Sequence, residues 1–212
     1  MSPRRAKATQ GRVGDDPATA LRGHLIDTAE RLLAEHQVGQ ITTRQIARAA
    51  GVSDGVLYNY FADKNDLLVA ALLRRYGQLL GRYDARLPEA GTATVEANLV
   101  AYAEAALELV AQALPIAAGL MTEPHLLHRF VADIHREPFG PQRLREPLAA
   151  YLAAEQRLGR LADVPLEAAI TLILGPVIML GFTELVGGQP REVVSAQLPA
   201  IVRTLLTGLD PS

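Results

Sequence analysis

Residues 41–68 read ITTRQIARAAGVSDGVLYNYFADKNDLL, and this stretch decides the fold. Thr42 has the character of a helix N-cap, and Gln45, three residues on, completes a capping box. Ile46, Ala47 and Ala50 follow as the inward positions of a short helix. Gly51 is the natural turn residue, because without a Cβ it tolerates positive φ. Ser53 then opens a second short helix, read over Ser53–Phe61, with Asp54 in its first turn where a negative charge suits the helix dipole. Val56, Leu57 and Phe61 turn inward to complete a small three-helix core. Two short helices joined by a three-residue turn are the grammar of a helix-turn-helix, whose second helix enters the major groove of DNA.

Working outward, a helix is predicted over Ala18–Glu35, with Leu25, Ala29, Leu32 and Leu33 on one stripe, and Val38-Gly39 ends it. Asp63 and Asp66 repeat the cap signature and open a long helix predicted to reach Leu87, where Pro88 stops it. Further helices are predicted over 92–113 (broken at Pro115), 116–121, 125–136, 141–160, 165–186 and 190–209. No run alternates apolar and polar β-branched residues, so the fold class is all-α. Ala168–Phe182 is apolar except for Thr171. A membrane span needs about 20 apolar residues, and Gly175-Pro176 interrupts this run, so it reads as a helix buried in a core or an interface.

Composition narrows the chemistry. The 212 residues are 49% hydrophobic and include no cysteine, which excludes a disulfide framework, a thiolate zinc site and a cysteine nucleophile. The first twenty residues carry positive charge without an apolar core, so they are no secretory signal, and a cytoplasmic protein is expected. Net charge is −2, but its distribution matters more: up to Lys64 there are nine Lys/Arg against seven Asp/Glu, and the remaining 148 residues hold twelve against sixteen. Residues 1–17 form a basic arm bearing Arg4, Arg5, Lys7 and Arg12. Its bland reading is a disordered leader, and its functional one an arm that adds phosphate contacts or reaches a minor groove. An enzyme fares badly as an alternative. Only Ser2, Ser53, Ser195 and Ser212 are serines, none in a nucleophile motif, and no paired carboxylates, phosphate loop or HExxH stands out. A helical adaptor that kept the fold and lost DNA binding is the remaining alternative. His125 and His128 share a helix face, with His135, Glu123 and Asp133 nearby. They read as polar or pocket-lining residues, with no metal and no cofactor expected.

On Thr43, Ile46, Ala47, Ala50-Gly51-Val52-Ser53, Gly55-Val56-Leu57-Tyr58-Asn59-Tyr60-Phe61, Lys64 and Leu67-Leu68, the chain resembles the TetR family of bacterial transcriptional regulators. The close match covers about 45 residues, and the rest agrees in length and helix count. The resemblance implies a helix-turn-helix domain over 18–64 and a helical ligand-binding and dimerisation domain over 65–212. It also implies that Tyr58 and Tyr60 touch the DNA backbone, that Lys64 contacts a phosphate, and that Thr43 and Arg44 reach phosphate and, for Arg44, a base. The family's last two long helices pair with their mates as a four-helix bundle, here 165–186 and 190–209. A ligand in the helical domain moves the fourth helix and changes the separation of the reading heads.

The residues themselves add chemistry to this. Ser53, Asp54, Gly55, Tyr58, Asn59 and Tyr60 belong to the second helix, which exposes Asp54, Gly55, Tyr58 and Asn59, with Tyr60 at its end. Gly55 permits close approach, Asn59 can bond adenine, Arg44 can read guanine through two hydrogen bonds, and Asp54 is either a helix-start charge or an acceptor for cytosine N4. A lysine at a helix N-terminus meets an anion together with the free N–H groups. So few base-reaching groups need two copies on a near-palindrome, about 34–36 Å apart or a multiple of it. Pocket candidates are Met121, His125, Phe130, Met179 and Phe182, with Leu120, Leu126 and Leu127 beside them; all also read as plain core. With tryptophan absent and aromatics scarce, a moderately apolar small molecule is the expected effector. The expectation is a repressor that leaves its operator when that molecule binds.

Overall fold

The computed structural model describes residues 16–135 and 140–208, and every regular element among them is a helix. In chain order these are α1 (Pro17–Glu35), α2 (Thr43–Ala50), α3 (Asp54–Leu57), α4 (Lys64–Asp84), α5 (Val95–Met121), α6 (Pro124–Ile134), α7 (Glu146–Arg157), α8 (Leu166–Gly187), α9 (Arg191–Ser195) and α10 (Leu198–Thr207). Short 3-10 turns occur at Val38–Gln40 and Pro141–Leu144. Arg4, Arg5, Lys7 and Arg12 of the basic arm lie outside the described residues.

The chain packs as two units, one of residues up to Arg75 together with Gly119–Asp133, the other of Tyr76–Ala118 together with Ile134 onward. In the first, α1 packs on α2 and α2 on α3. Leu25 and Ala29 of the α1 stripe, Ile46 and Ala47 of α2, Leu57 of α3 and Leu67 and Leu68 of α4 are fully shielded from solvent. The buried Thr28 hydroxyl donates to the His24 carbonyl at 2.9 Å, so its burial leaves no unpaired polar atom. Arg74 ties α4 to α1 by bonding Glu30 at 2.7 Å and also Asp27.

The second unit is built on one apolar cluster. Leu79, Leu80 and Tyr83 of α4 and Leu99, Tyr102 and Leu107 of α5 join Leu148 and Leu152 of α7, Ile170 and Val177 of α8, Val194 of α9 and Val202 of α10. A Cβ on Gly181 would come within 2.6 Å of Val110, so α8 and α5 touch at a point only glycine allows.

Several helices differ from the periodicity reading; the one read over 141–160 is a 3-10 turn at Pro141–Leu144 followed by α7, which ends at Arg157. Pro115 does not break its helix; α5 runs through it for 27 residues. An internal proline costs about 3 kcal/mol, but Leu109 and Val110 before it and Leu120 after it are all buried, and that burial outweighs one lost backbone bond. The last helix is two: α9 ends at Ser195, and Pro199, in the first turn of α10, has no N–H to continue the ladder. The helix expected to reach Leu87 ends at Asp84, and Ala85 and Arg86 form a turn before Pro88.

At 22 residues α8 is long and apolar enough to cross a membrane by length and composition, as is α5, tests that the core helix of a soluble protein also passes. One side of α8 is buried through Ile170, Ile173, Leu174, Val177 and Leu180. Leu172, Ile178, Met179, Phe182, Leu185 and Val186 are exposed, a second apolar stripe at helical spacing.

Candidate nucleic-acid interface

Thr42 does cap α2. The Gln45 amide donates to the Thr42 hydroxyl at 3.2 Å, and the Thr42 amide donates to the Gln45 side chain at 2.8 Å, the two reciprocal bonds of a capping box. Gly51 ends the helix at φ 71°, in the left-handed region that a side chain resists, and Val52 donates back to the Ala47 carbonyl at 3.0 Å. His24 of α1 places Nε2 3.1 Å from the Ala50 carbonyl, one of the orphan acceptors of that helix end.

Ser53 stands at the cap position of α3, but its hydroxyl makes no capping bond. The second helix is also shorter than expected. Only Asp54–Leu57 is α-helical, and Tyr58–Tyr60 continue as a tight turn in which Asn59 donates to Val56 at 3.2 Å and Tyr60 to Leu57 at 3.1 Å. A glycine near the start of so short a helix costs about 1 kcal/mol, and the segment is held by its two buried anchors, Leu57 and Phe61. The Arg22 guanidinium of α1 lies 4.9 Å from the centre of the Phe61 ring, a cation–π contact on that anchor.

With the anchors inward, Ser53, Asp54, Gly55, Tyr58 and Asn59 are exposed, and Tyr60 and Thr43 are half-buried. Tyr58 is 55% exposed, so its ring and hydroxyl are free to meet a partner. Arg44 is almost wholly in solvent, and its Nε lies 3.7 Å from an Asp54 carboxylate oxygen. A pair this exposed contributes little stability. It parks the guanidinium beside the start of α3, and it gives Asp54 a partner that sequence reasoning did not provide.

Lys64 opens α4 and donates from Nζ to the Ile41 carbonyl at 2.9 Å, which leaves two of its three ammonium protons for an anion. Asp63 caps the same helix, accepting from the Asp66 amide at 2.7 Å, and Asp66 accepts from the Ala62 amide at 3.0 Å. Arg129 of α6 grips Asp63 through both carboxylate oxygens. Sequence reasoning passed over Arg129, because its partner is 66 residues away and no local pattern marks it.

The pocket candidates are distributed differently. Met121 and His125 are exposed and Phe130 is buried, all in the first unit, while Met179 and Phe182 lie in the exposed stripe of α8 in the second. His128 is also exposed, and no group of three or more His, Asp or Glu among the described residues is placed to hold a metal ion. A cavity of about 150 Å³ does open between α4 and α5, lined by Leu79, Arg82, Tyr83, Arg86, Ala105, Glu108, Leu109 and Gln112.

Residues 25–71 match the model of the N-terminal domain of bacterial regulatory proteins of the tetR family. Over 76 residues the chain is 36% identical to the fatty acid metabolism regulator protein of Bacillus subtilis, covering 36% of this chain and 39% of that protein. It is 40% identical over 83 residues to the HTH-type transcriptional regulator BetI of Cronobacter sakazakii, covering 39% and 41%. The match thus spans about two-fifths of the length of these relatives. In three dimensions it is similar to the transcriptional regulator FadR of Bacillus subtilis, solved in complex with stearoyl-CoA, with a TM-score of 0.59 at 21% identity over 89% of this chain and 99% of that one. That likeness extends the shared fold beyond residues 25–71.

Proposed function

The chain belongs, through its N-terminal domain, to the TetR family of bacterial regulatory proteins, and from that premise we propose that it is a transcriptional repressor that binds a near-palindromic operator as a dimer and is released by a small molecule. One observation carries the reading. Around a helix-turn-helix held by buried anchors, Arg44, Ser53, Asp54, Gly55, Tyr58 and Asn59 stand in solvent together. Tyr58 on that face, with Thr43, Tyr60 and Lys64 at the helix ends around it, makes the backbone contacts, and Arg44 and Asn59 are the base readers. When Arg44 turns to a guanine it gives up only its weak pair with Asp54.

The dimer is supported by α8. Leu172, Ile178, Met179, Phe182, Leu185 and Val186 run along its exposed side as an apolar stripe, the kind of surface that a second copy would cover. In this reading Met179 and Phe182 meet a second copy of the chain rather than an effector. The effector binds the second unit. The Bacillus subtilis FadR complex with stearoyl-CoA supports a small molecule acting on this fold.

Selection from random double-stranded DNA tests the function. The expected product is a motif with two-fold symmetry, half-sites one helical turn or a multiple apart. Recovery of unselected sequence, or of a single asymmetric site, refutes the dimeric reading head.

A further inference from the structure

We infer that the cavity between α4 and α5 is a binding site for a small amphiphilic carboxylate, its head held by Arg82 and Arg86 and its body by Leu79, Tyr83 and Leu109. The inference deepens the effector part of the function proposed above and rests on it for its regulatory meaning.

The walls and the rim differ in chemistry. Leu79, Tyr83, Ala105 and Leu109 are buried side chains that form an apolar floor. Tyr83 already donates its hydroxyl to the Leu144 carbonyl at 3.1 Å, so the phenol offers a guest its ring and not its proton. The rim is polar: Arg82, Arg86, Glu108 and Gln112.

The rim's hydrogen bonds show which charge is left over. Glu108 is the one carboxylate there, and both of its oxygens are taken, one by the Gln112 amide and the other by Arg191 at 2.5 Å. Arg191 is itself shared with Glu184, so that cluster carries no spare positive charge. Arg82 donates to the neutral Gln112 oxygen at 2.9 Å. Among the described residues neither Arg82 nor Arg86 has a carboxylate partner. Arg82 lies in the last turn of α4 and Arg86 in the turn that follows it, and both line the same rim, where two planar forks can close on one carboxylate. Both arginines are exposed to solvent, so a neutral guest would gain nothing from their charge, and a cation would be repelled. A dianion would meet Glu108 across the rim. The volume is that of about five water molecules, which suits a chain of a few carbons.

The test uses the full chain, with hexanoate as probe and calorimetric titration as readout. Hexanoate should bind saturably, 1-hexanol and inorganic phosphate at least tenfold more weakly. Arg82→Gln and Arg86→Gln should each weaken hexanoate about tenfold, while Arg157→Gln, an exposed arginine elsewhere on the unit, should not. Equal binding of hexanol or phosphate, unchanged affinity in both rim variants, or no saturable binding overturns the inference. The two readings separate when selected DNA is added. Hexanoate that binds yet leaves the DNA complex intact keeps the site and refutes its effector role. DNA that binds normally in a chain that does not take hexanoate refutes the site and leaves the reading head standing.

Discussion

Arg129 donates to both carboxylate oxygens of Asp63 at 2.8 Å, and so fastens α6 to the residue that caps α4. A further bond runs from Arg129 to Asp66 at 3.3 Å. Asp63 thus serves a guanidinium and a helix N-terminus at once. Its partial burial works against the charge, but the Asp66 amide and Arg129 outweigh it and hold the carboxyl below its ordinary value of 3.8. A depressed folded pKa means that the contribution is present above pH 3.8 and is lost as pH falls through the folded value. Arg129→Ala should therefore lower urea stability at pH 7 by up to about 1 kcal/mol, given how exposed the pair is. The gap between variant and parent should close below the folded pKa. A gap that persists at the lowest pH would mean that Arg129 acts through packing and not through Asp63.

Tyr58 and Lys64 separate two ways of losing DNA affinity. Tyr58 is exposed, so Tyr58→Ala should move stability by less than about 0.5 kcal/mol while weakening selected DNA severalfold. Lys64→Ala also removes the bond to the Ile41 carbonyl and should cost about 1 kcal/mol of stability. Its diagnostic is salt: the slope of log affinity against log salt should shrink by about 0.9 for each phosphate lost in each copy. Filter binding at several salt concentrations measures both, and unchanged affinity in both variants removes them from the interface.

The helix-turn-helix was legible because its signals are local. Thr42 with Gln45, Gly51 before Ser53, and Asp63 with Asp66 are each separated by three residues or fewer, and the structure forms the capping box and the left-handed turn at the positions read for them. Ser53 looked like a cap by the same logic, but the helix it opens is a single turn, and its hydroxyl makes no capping bond. Beyond Leu68 the deciding contacts are distant in sequence. Arg129 with Asp63, Gly181 against Val110 and Arg191 with Glu108 leave no periodic trace. Pro115 misled because a proline's local cost is visible in the sequence and the burial that overrides it is not.

Three buried tyrosines set an alkaline limit for the second unit. Burial pushes the Tyr102 and Tyr151 hydroxyls up to about 12, and Tyr83 higher still. Tyr102 and Tyr151 pack against each other with ring centres 4.9 Å apart. Raised folded values mean that the stability is present in full below pH 10, the unfolded value, and falls as pH rises from there toward the folded values. Phenolate absorbance and helical circular dichroism should therefore change together above pH 10 for these three, whereas early ionisation with intact helicity would place them in contact with solvent. Tyr151→Phe should flatten the stability slope above pH 10 by about 1.4 kcal/mol per pH unit at most.

The exposed stripe of α8 decides whether two reading heads act together. Met179 is 68% exposed and Phe182 55%, one turn apart, with Leu172 and Val186 continuing the stripe on either side. Burying each such side chain against a second copy is worth about 1.5–3 kcal/mol, enough over the whole face to hold a dimer. Met179→Asp combined with Phe182→Asp would set four buried charges in a two-fold interface and should give a monomer by sedimentation equilibrium. Because both positions are solvent-facing within the subunit, the monomer should keep its helical circular dichroism. It should retain weak, salt-sensitive DNA binding through a single head and lose preference for the symmetric site, since one head reads too few bases to select it. A double variant that sediments like the parent, or a parent that is itself monomeric at working concentration, places the partner of this face elsewhere.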